Sequence, residues 1–192
     1  MSRPGPLPIH RRITLDEFLA FTGWEITPGV SRVAMSVALD FYQDFVPRPI
    51  LRQKVMHPSP WSLPRGNVIK LSELMQAIDF QRPVERLVAP PNRRFKSFRP
   101  RNEPKSQKPR GNWFTDPSSR QEALALPGEQ DRVRVYGVKT PVPCLKSRVS
   151  DAFTWIRRNI EETKRETLPE KYFHGGGFQY FIWEPQRYLA LV

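Results

Sequence analysis

Proline occupies 21 of the chain's 192 positions, about twice its ordinary share. Each proline fixes φ and removes a backbone donor, so recurring prolines bar the chain from long helices and from the middle of sheets. They gather at 47–66, as Pro47, Pro49, Pro58, Pro60 and Pro64, and at 83–117, with Pro90, Pro91, Pro100, Pro104, Pro109 and Pro117. The chain is thereby divided into short foldable pieces joined by segments suited to extended routing over another surface. A hydrophobic fraction of 39% adds that any core is modest.

Four regions follow from this punctuation. Residues 1–13 read as an extended basic arm, 14–82 as a small helical unit, 83–117 as a proline-rich basic linker, and 118–192 as a small mixed α/β unit. In the helical unit, Thr14 and Glu17 match a capping box that opens a short helix ended by Gly23. Thr27 before Pro28 repeats the start signal, and Val30, Val33, Ala34, Val37, Ala38, Phe41 and Phe45 recur at helical steps until Pro47. Leu71, Leu74, Met75 and Ile78 predict a third, shorter helix. The first two helices resemble a helix-turn-helix only loosely, because Asp40 and Asp44 on the second would repel phosphates.

Beyond the linker, Asp116-Pro117 signals a short helix through Leu126. Arg132 to Lys139 alternates as a strand. Val149, Phe153, Ile156 and Ile160 predict an amphipathic helix from about Ser150 to Thr167, and Phe178–Trp183 and Tyr188–Val192 read as strands. The expected fold class is α+β, with a mainly helical N-terminal unit, a small mixed C-terminal unit and long irregular extensions.

Charge is concentrated in the two segments expected to be irregular. Residues 92–110 hold Arg93, Arg94, Lys96, Arg99, Arg101, Lys105, Lys108 and Arg110 against Glu103 alone, and 1–13 adds Arg3, Arg11 and Arg12, so these stretches supply ten of the chain's formal net charge of +12. Phe95, Phe98, Trp113 and Phe114 interleave with or follow these cations. Cations neutralise phosphates and rings stack on unpaired bases, so the pattern points to RNA. The residues expected to contact it are Arg3, Arg11, Arg12, Arg93, Arg94, Phe95, Lys96, Phe98, Arg99, Arg101, Lys105, Lys108, Arg110 and Trp113.

Catalytic motifs are missing. His174-Gly175-Gly176-Gly177 resembles the oxyanion loop of lipases, but no G-x-S-x-G elbow accompanies it, and a glycine turn is the simpler reading. His10, His57 and His174 lie far apart, with no metal-ligand spacing, and neither a Walker loop nor a dinucleotide fingerprint is present. The single cysteine, Cys144, reads as a buried apolar residue, and no apolar run is long enough to span a bilayer. No enzyme activity, cofactor, metal or small-molecule substrate is expected.

In make-up the chain resembles the accessory proteins of the mitochondrial ribosome: basic, proline-rich and poor in cysteine. That resemblance implies a structural subunit in the mitochondrial matrix that binds rRNA and neighbouring subunits and does not self-associate. Two other readings are an accessory subunit of a respiratory complex or ATP synthase, and a free-standing regulator that binds single-stranded RNA.

Overall fold

The computed structural model describes residues 12–45, 71, 74–99, 108–109, 111–124, 132–150, 156–157 and 175–192. Helix α1 (Leu15–Thr22) forms as its capping box dictates: Thr14 Oγ1 accepts from the Glu17 N–H, and the Glu17 carboxylate accepts from the Thr14 N–H at 2.8 Å. Gly23, at φ +66°, takes the left-handed C-cap position and returns its N–H to the Leu19 carbonyl.

Helix α2 (Arg32–Phe45) begins later than Thr27-Pro28 implies. Ser31 is its cap, accepting from the Ala34 N–H at 3.2 Å, while a two-residue strand, β1 (Glu25–Ile26), precedes the turn. Its buried face, Ala34, Met35, Ala38, Leu39, Phe41 and Tyr42, is offset by about one position from the expected one. Val33, expected inside, is 74% exposed. Leu71 and residues 74–76 are helical, and Leu71, Met75 and Ile78 are buried as their spacing predicts.

Apart from 3-10 turns at Gln121–Leu124 and Pro185–Arg187, the remaining regular structure among the described residues is strand, so the expected α+β class with a mainly helical N-terminal unit is corrected to a mostly β one. The strands are β2 (Glu85–Ala89), β3 (Arg94–Arg99), β4 (Trp113–Phe114), β5 (Arg132–Val138), β6 (Val142–Arg148), β7 (Ile156–Arg157), β8 (Phe178–Phe181) and β9 (Leu189–Leu191). They form an antiparallel four-stranded sheet in the order β2-β6-β8-β4 and a three-stranded one, β3-β5-β9; β1 pairs with β7.

Register sorts the side chains into layers. Leu145 of β6 faces Phe181 of β8 and Arg86 of β2, and this side packs on α1 and α2 with Phe18, Met35, Phe41 and Tyr42. The next residue along each strand points the other way. Cys144, Tyr180 and Phe114 therefore lie on the opposite face, packed with Phe95, Tyr136, Val138 and Leu189 from the three-stranded sheet. The layers run helices, large sheet, small sheet.

Two expectations fail here for identifiable reasons. The basic linker contains β2, β3 and β4, because Arg94-Phe95-Lys96-Ser97 alternates at the strand period and each inward residue finds cover. The helix proposed for Ser150–Thr167 lies mostly outside the described residues, but Ile156 and Arg157 pair with β1 as strand. Strand β6 carries Pro143, which its sequence alone argues against. The strand pairs with β2 over Val142–Lys146 and with β8 only from Leu145, so Pro143 falls where one neighbour suffices.

Candidate functional site: a polar-lined cavity between the sheets

Five polar side chains are buried among the described residues: Ser97, Thr115, Ser147, Ser150 and Gln179. Four of them, all but Ser147, line one open cavity of about 270 Å³ where β3, β4 and β8 converge. Burying a polar group costs free energy unless it finds partners, so such a gathering needs a cause.

Gln179 occupies the helix-facing side of β8, among rings. Its Nε2 donates to the Ala77 carbonyl at 2.5 Å and lies 3.2 Å from Ser147 Oγ and 3.4 Å from the Arg148 carbonyl. Every described hydrogen bond of this side chain leaves from Nε2; Oε1 is its remaining polar atom. Ser150 Oγ donates to the Gln76 carbonyl at 2.7 Å. Thr115 Oγ1 lies 2.6 Å from both the Phe178 carbonyl and Ser119 Oγ. With one hydrogen to give, it donates to the carbonyl and accepts from the serine. The polar groups are thus held in fixed directions. Phe98, Trp113 and Phe114 supply rings to the same wall, and Lys96 the one charge among the described lining residues.

The glycines of 175–177 serve this architecture by their size. A Cβ on Gly177 would stand 2.6 Å from the Ala123 carbonyl, and Gly176 is left-handed at φ +88°. Its neighbour Gly177 donates to that carbonyl and accepts from the Val149 N–H, both at 2.9 Å, which fixes the approach of β8 to the cavity. Close packing against the Ala123 carbonyl is the reason for glycine at 177.

Beneath the cavity, on the opposite face of β8, lies a second polar group. Arg93 Nη2 donates to the Tyr180 hydroxyl at 2.7 Å and to Asp116 Oδ1 at 3.0 Å, and Tyr180 donates to Asp116 Oδ2 at 3.0 Å. Burial, and then the negative charge of Asp116, push the Tyr180 phenol up to about 12. Burial likewise pushes the Cys144 thiol up to about 11, so it stays protonated and inert at neutral pH.

The residues expected to grip RNA scatter. Phe95 is fully buried in the inter-sheet core, and Arg93 sits in the triad just described. Lys96, Phe98 and Trp113 border the cavity. Arg94 and Lys108 are exposed, Arg99 is half-buried, and Arg12 binds Asp44 and the Asp40 carbonyl on α2. Arg3, Arg11, Arg101, Lys105 and Arg110 lie outside the described residues. Gln179, Ser97, Thr115 and Ser150 were missed. A lone glutamine within the aromatic run Phe178-Gln179-Tyr180-Phe181 was the signal available for them.

No protein-family model matches the chain, and a search of curated proteins finds no match. Among solved structures, a chain from the complex of Tse6 with Tsi6 is similar at 17% identity, with 84% of this chain aligned to 95% of that one and a TM-score of 0.52. At that identity the likeness is one of fold. A chain from the complex of Rhs1-CT with its cognate immunity protein RhsI1 follows at 14% identity, covering 59% of this chain and 81% of that one, with a TM-score of 0.39.

The expectation of a mitochondrial ribosomal subunit bound to rRNA is overturned, and with it those of a respiratory-complex subunit and an RNA regulator. The fold similarity found is to a chain from the complex of Tse6 with Tsi6, a complex between proteins. The physical finding agrees. Phe95 and Phe114, counted on for stacking or docking, are buried in the chain's own core.

Proposed function

We propose that the chain is one partner of a protein pair of the toxin and immunity kind, and that it is the partner that holds a small ligand, in the cavity around Gln179. The fold similarity to a chain of the Tse6–Tsi6 complex supports the pairing. One observation carries the assignment within the pair: four of five buried polar side chains converge on one cavity. A chain that acts only by covering another protein needs a complementary surface and has no use for buried hydroxyls and an amide in fixed directions.

The lining defines the ligand class. Phe98, Trp113 and Phe114 suit a planar ring, while Gln179, Ser97 and Ser150 suit its polar edge. A volume of about 270 Å³ fits a single heterocycle with a small substituent.

The second reading is the immunity-type chain, which covers its partner and performs no chemistry. It is favoured by the absence of any carboxylate or imidazole among the described residues lining the cavity. Inducible expression of the full chain in a bacterial and a yeast host separates the two. The first reading expects growth arrest by the wild type and normal growth with Gln179→Leu at equal soluble amounts. Normal growth with both removes it in favour of the second.

A further inference from the structure

The polar atoms that line the cavity differ in what they have left to offer an occupant. Ser150 Oγ spends its one hydrogen on the Gln76 carbonyl at 2.7 Å, so only its lone pairs remain. The next carbonyl, that of Ala77, accepts from the Ser150 N–H at 3.1 Å and from Gln179 Nε2 at 2.5 Å. The Arg148 carbonyl lies 3.4 Å from the same Nε2. A carbonyl can only accept, so these two fix the sense of the Gln179 amide: turned over, it would set Oε1 against both. Gln179 is only 6% exposed, and its Oε1 has no hydrogen-bond partner among the described residues. This part of the wall has given its donors to the protein backbone and presents acceptors alone.

The part of the wall supplied by β3 presents donors. It lies across β4 from Gln179, since β4 pairs with β8 and the bridge between Thr115 and Lys96 joins the end of β4 to β3. Lys96 and Phe98 alternate with the buried Phe95 and Ser97, so they stand on the outer face of the small sheet, at the cavity's rim. The Lys96 ammonium gives one hydrogen to the Ser119 carbonyl and keeps two, with Nζ 5.0 Å from the Phe98 ring centroid. Ser97 is 4% exposed, and its hydroxyl has no hydrogen-bond partner among the described residues. It is therefore able to give its hydrogen to an occupant.

We infer that the cavity takes a neutral lactam-type ring, one that carries both a ring N–H and a carbonyl oxygen. The N–H is given to Gln179 Oε1, and the carbonyl accepts from Ser97 and Lys96. The inference rests on the reading of the cavity as a ligand site and supplies the hydrogen-bonding polarity of its ligand. A ring with acceptors alone leaves Oε1 unpaired and sets its own lone pairs against it, which costs the desolvation of both groups. A protonated ring meets the Lys96 charge, and an ionised one places negative charge beside Oε1 and Ser150 Oγ. A neutral ring with both kinds of group satisfies every part of the wall.

The test uses the full chain, isotopically labelled, and three rings as probes. Uracil carries N–H and carbonyl groups; N,N′-dimethyluracil keeps the carbonyls without the N–H groups; pyrimidine has acceptors only and adds no bulk. Uracil is expected to bind at least about tenfold tighter than either of the others, because a site built to accept a hydrogen rejects rings that lack one. The shifts should fall at residues 96–98, 149–150 and 179, and include the Gln179 side-chain amide, recognised by its loss from the spectrum of Gln179→Leu. In that variant the preference for uracil should disappear. Circular dichroism verifies that the variant folds, and the comparison of rings on the wild type stands without it. Equal binding of the three rings, tighter binding of pyrimidine, or a preference that survives in folded Gln179→Leu overturns the inference and leaves the cavity reading in place. Binding of none of them also overturns it; the cavity reading then stands only where Gln179→Leu still relieves growth arrest.

Discussion

Arg93 donates to the Tyr180 hydroxyl at 2.7 Å, joining residues 87 apart in sequence across the space between the two sheets. Asp116 closes the group by accepting from both. The guanidinium also lies over the Tyr180 ring, 4.7 Å from its centroid. Tyr180→Phe keeps the ring and removes the hydroxyl, leaving Asp116 and Arg93 short of a partner in a half-buried place. The expected loss is about 1–3 kcal/mol, read from urea denaturation midpoints.

The same phenol gives the stability curve an alkaline limb. Its folded pKa, raised to about 12, exceeds the ordinary value of 10.0. The folded chain therefore keeps a proton that the unfolded chain gives up. The contribution is complete below pH 10 and is lost as pH rises from 10 towards 12. Denaturation series at increasing pH should show this loss in the wild type and a flatter limb in Tyr180→Phe.

Asp44 sets an acid limb of opposite sign. Burial alone would push its carboxyl up, but hydrogen bonds from Arg12 and Arg86 outweigh that and hold it below its usual 3.8. Its stabilising contribution is present above the unfolded carboxylate pKa and disappears as pH falls through the lowered folded value. Asp44→Asn should be less stable than the wild type at pH 7 and should approach it below about pH 3. Thermal melts across that range decide the matter.

Neighbouring phenylalanines of β3 should behave differently. Phe95 is fully buried between the sheets, and Phe95→Ala should cost about 3–5 kcal/mol. Phe98 lies half-exposed on the outer face, and Phe98→Ala should cost clearly less. Equal and small losses at both positions, measured by chemical denaturation, would return this stretch to the status of an unstructured arm.

Cys144 should be silent in the native protein. A fully buried thiol with its pKa pushed up to about 11 presents almost no thiolate at pH 8. Labelling with a thiol reagent is expected to be slow in buffer and fast in denaturant.

Elements whose signals are local could be read from the sequence. The capping box of α1, the alternation of β5 and the aromatic run of β8 each contain their own evidence within a few residues. Strand β3 was obscured because its inward residues, Phe95 and Ser97, are flanked by cations, and its second ring, Phe98, points outward. The eye is drawn to charge where the informative property is period. Strand β6 was hidden by Pro143, whose place in the sheet depends on where β8 begins to pair. The cavity was least legible: Ser97, Thr115, Ser150 and Gln179 come from four separate segments, and only the fold brings them together.

The pairing scheme also governs when the chain can fold as it leaves the ribosome. Strands β2, β3 and β4 all precede residue 125, yet their ladder partners β6, β5 and β8 all follow residue 131. A nascent chain of the first 124 residues can close α1 and α2, but it has no ladder partner for any of those three strands. Such long-range closure is slow and leaves edges such as Phe95 and Phe114 uncovered meanwhile. The same interleaving makes a break near residue 128 a natural point for splitting the protein into two pieces: the second retains the β5-β9 and β6-β8 ladders, and the first has no ladder partner for β2, β3 or β4 until the two meet.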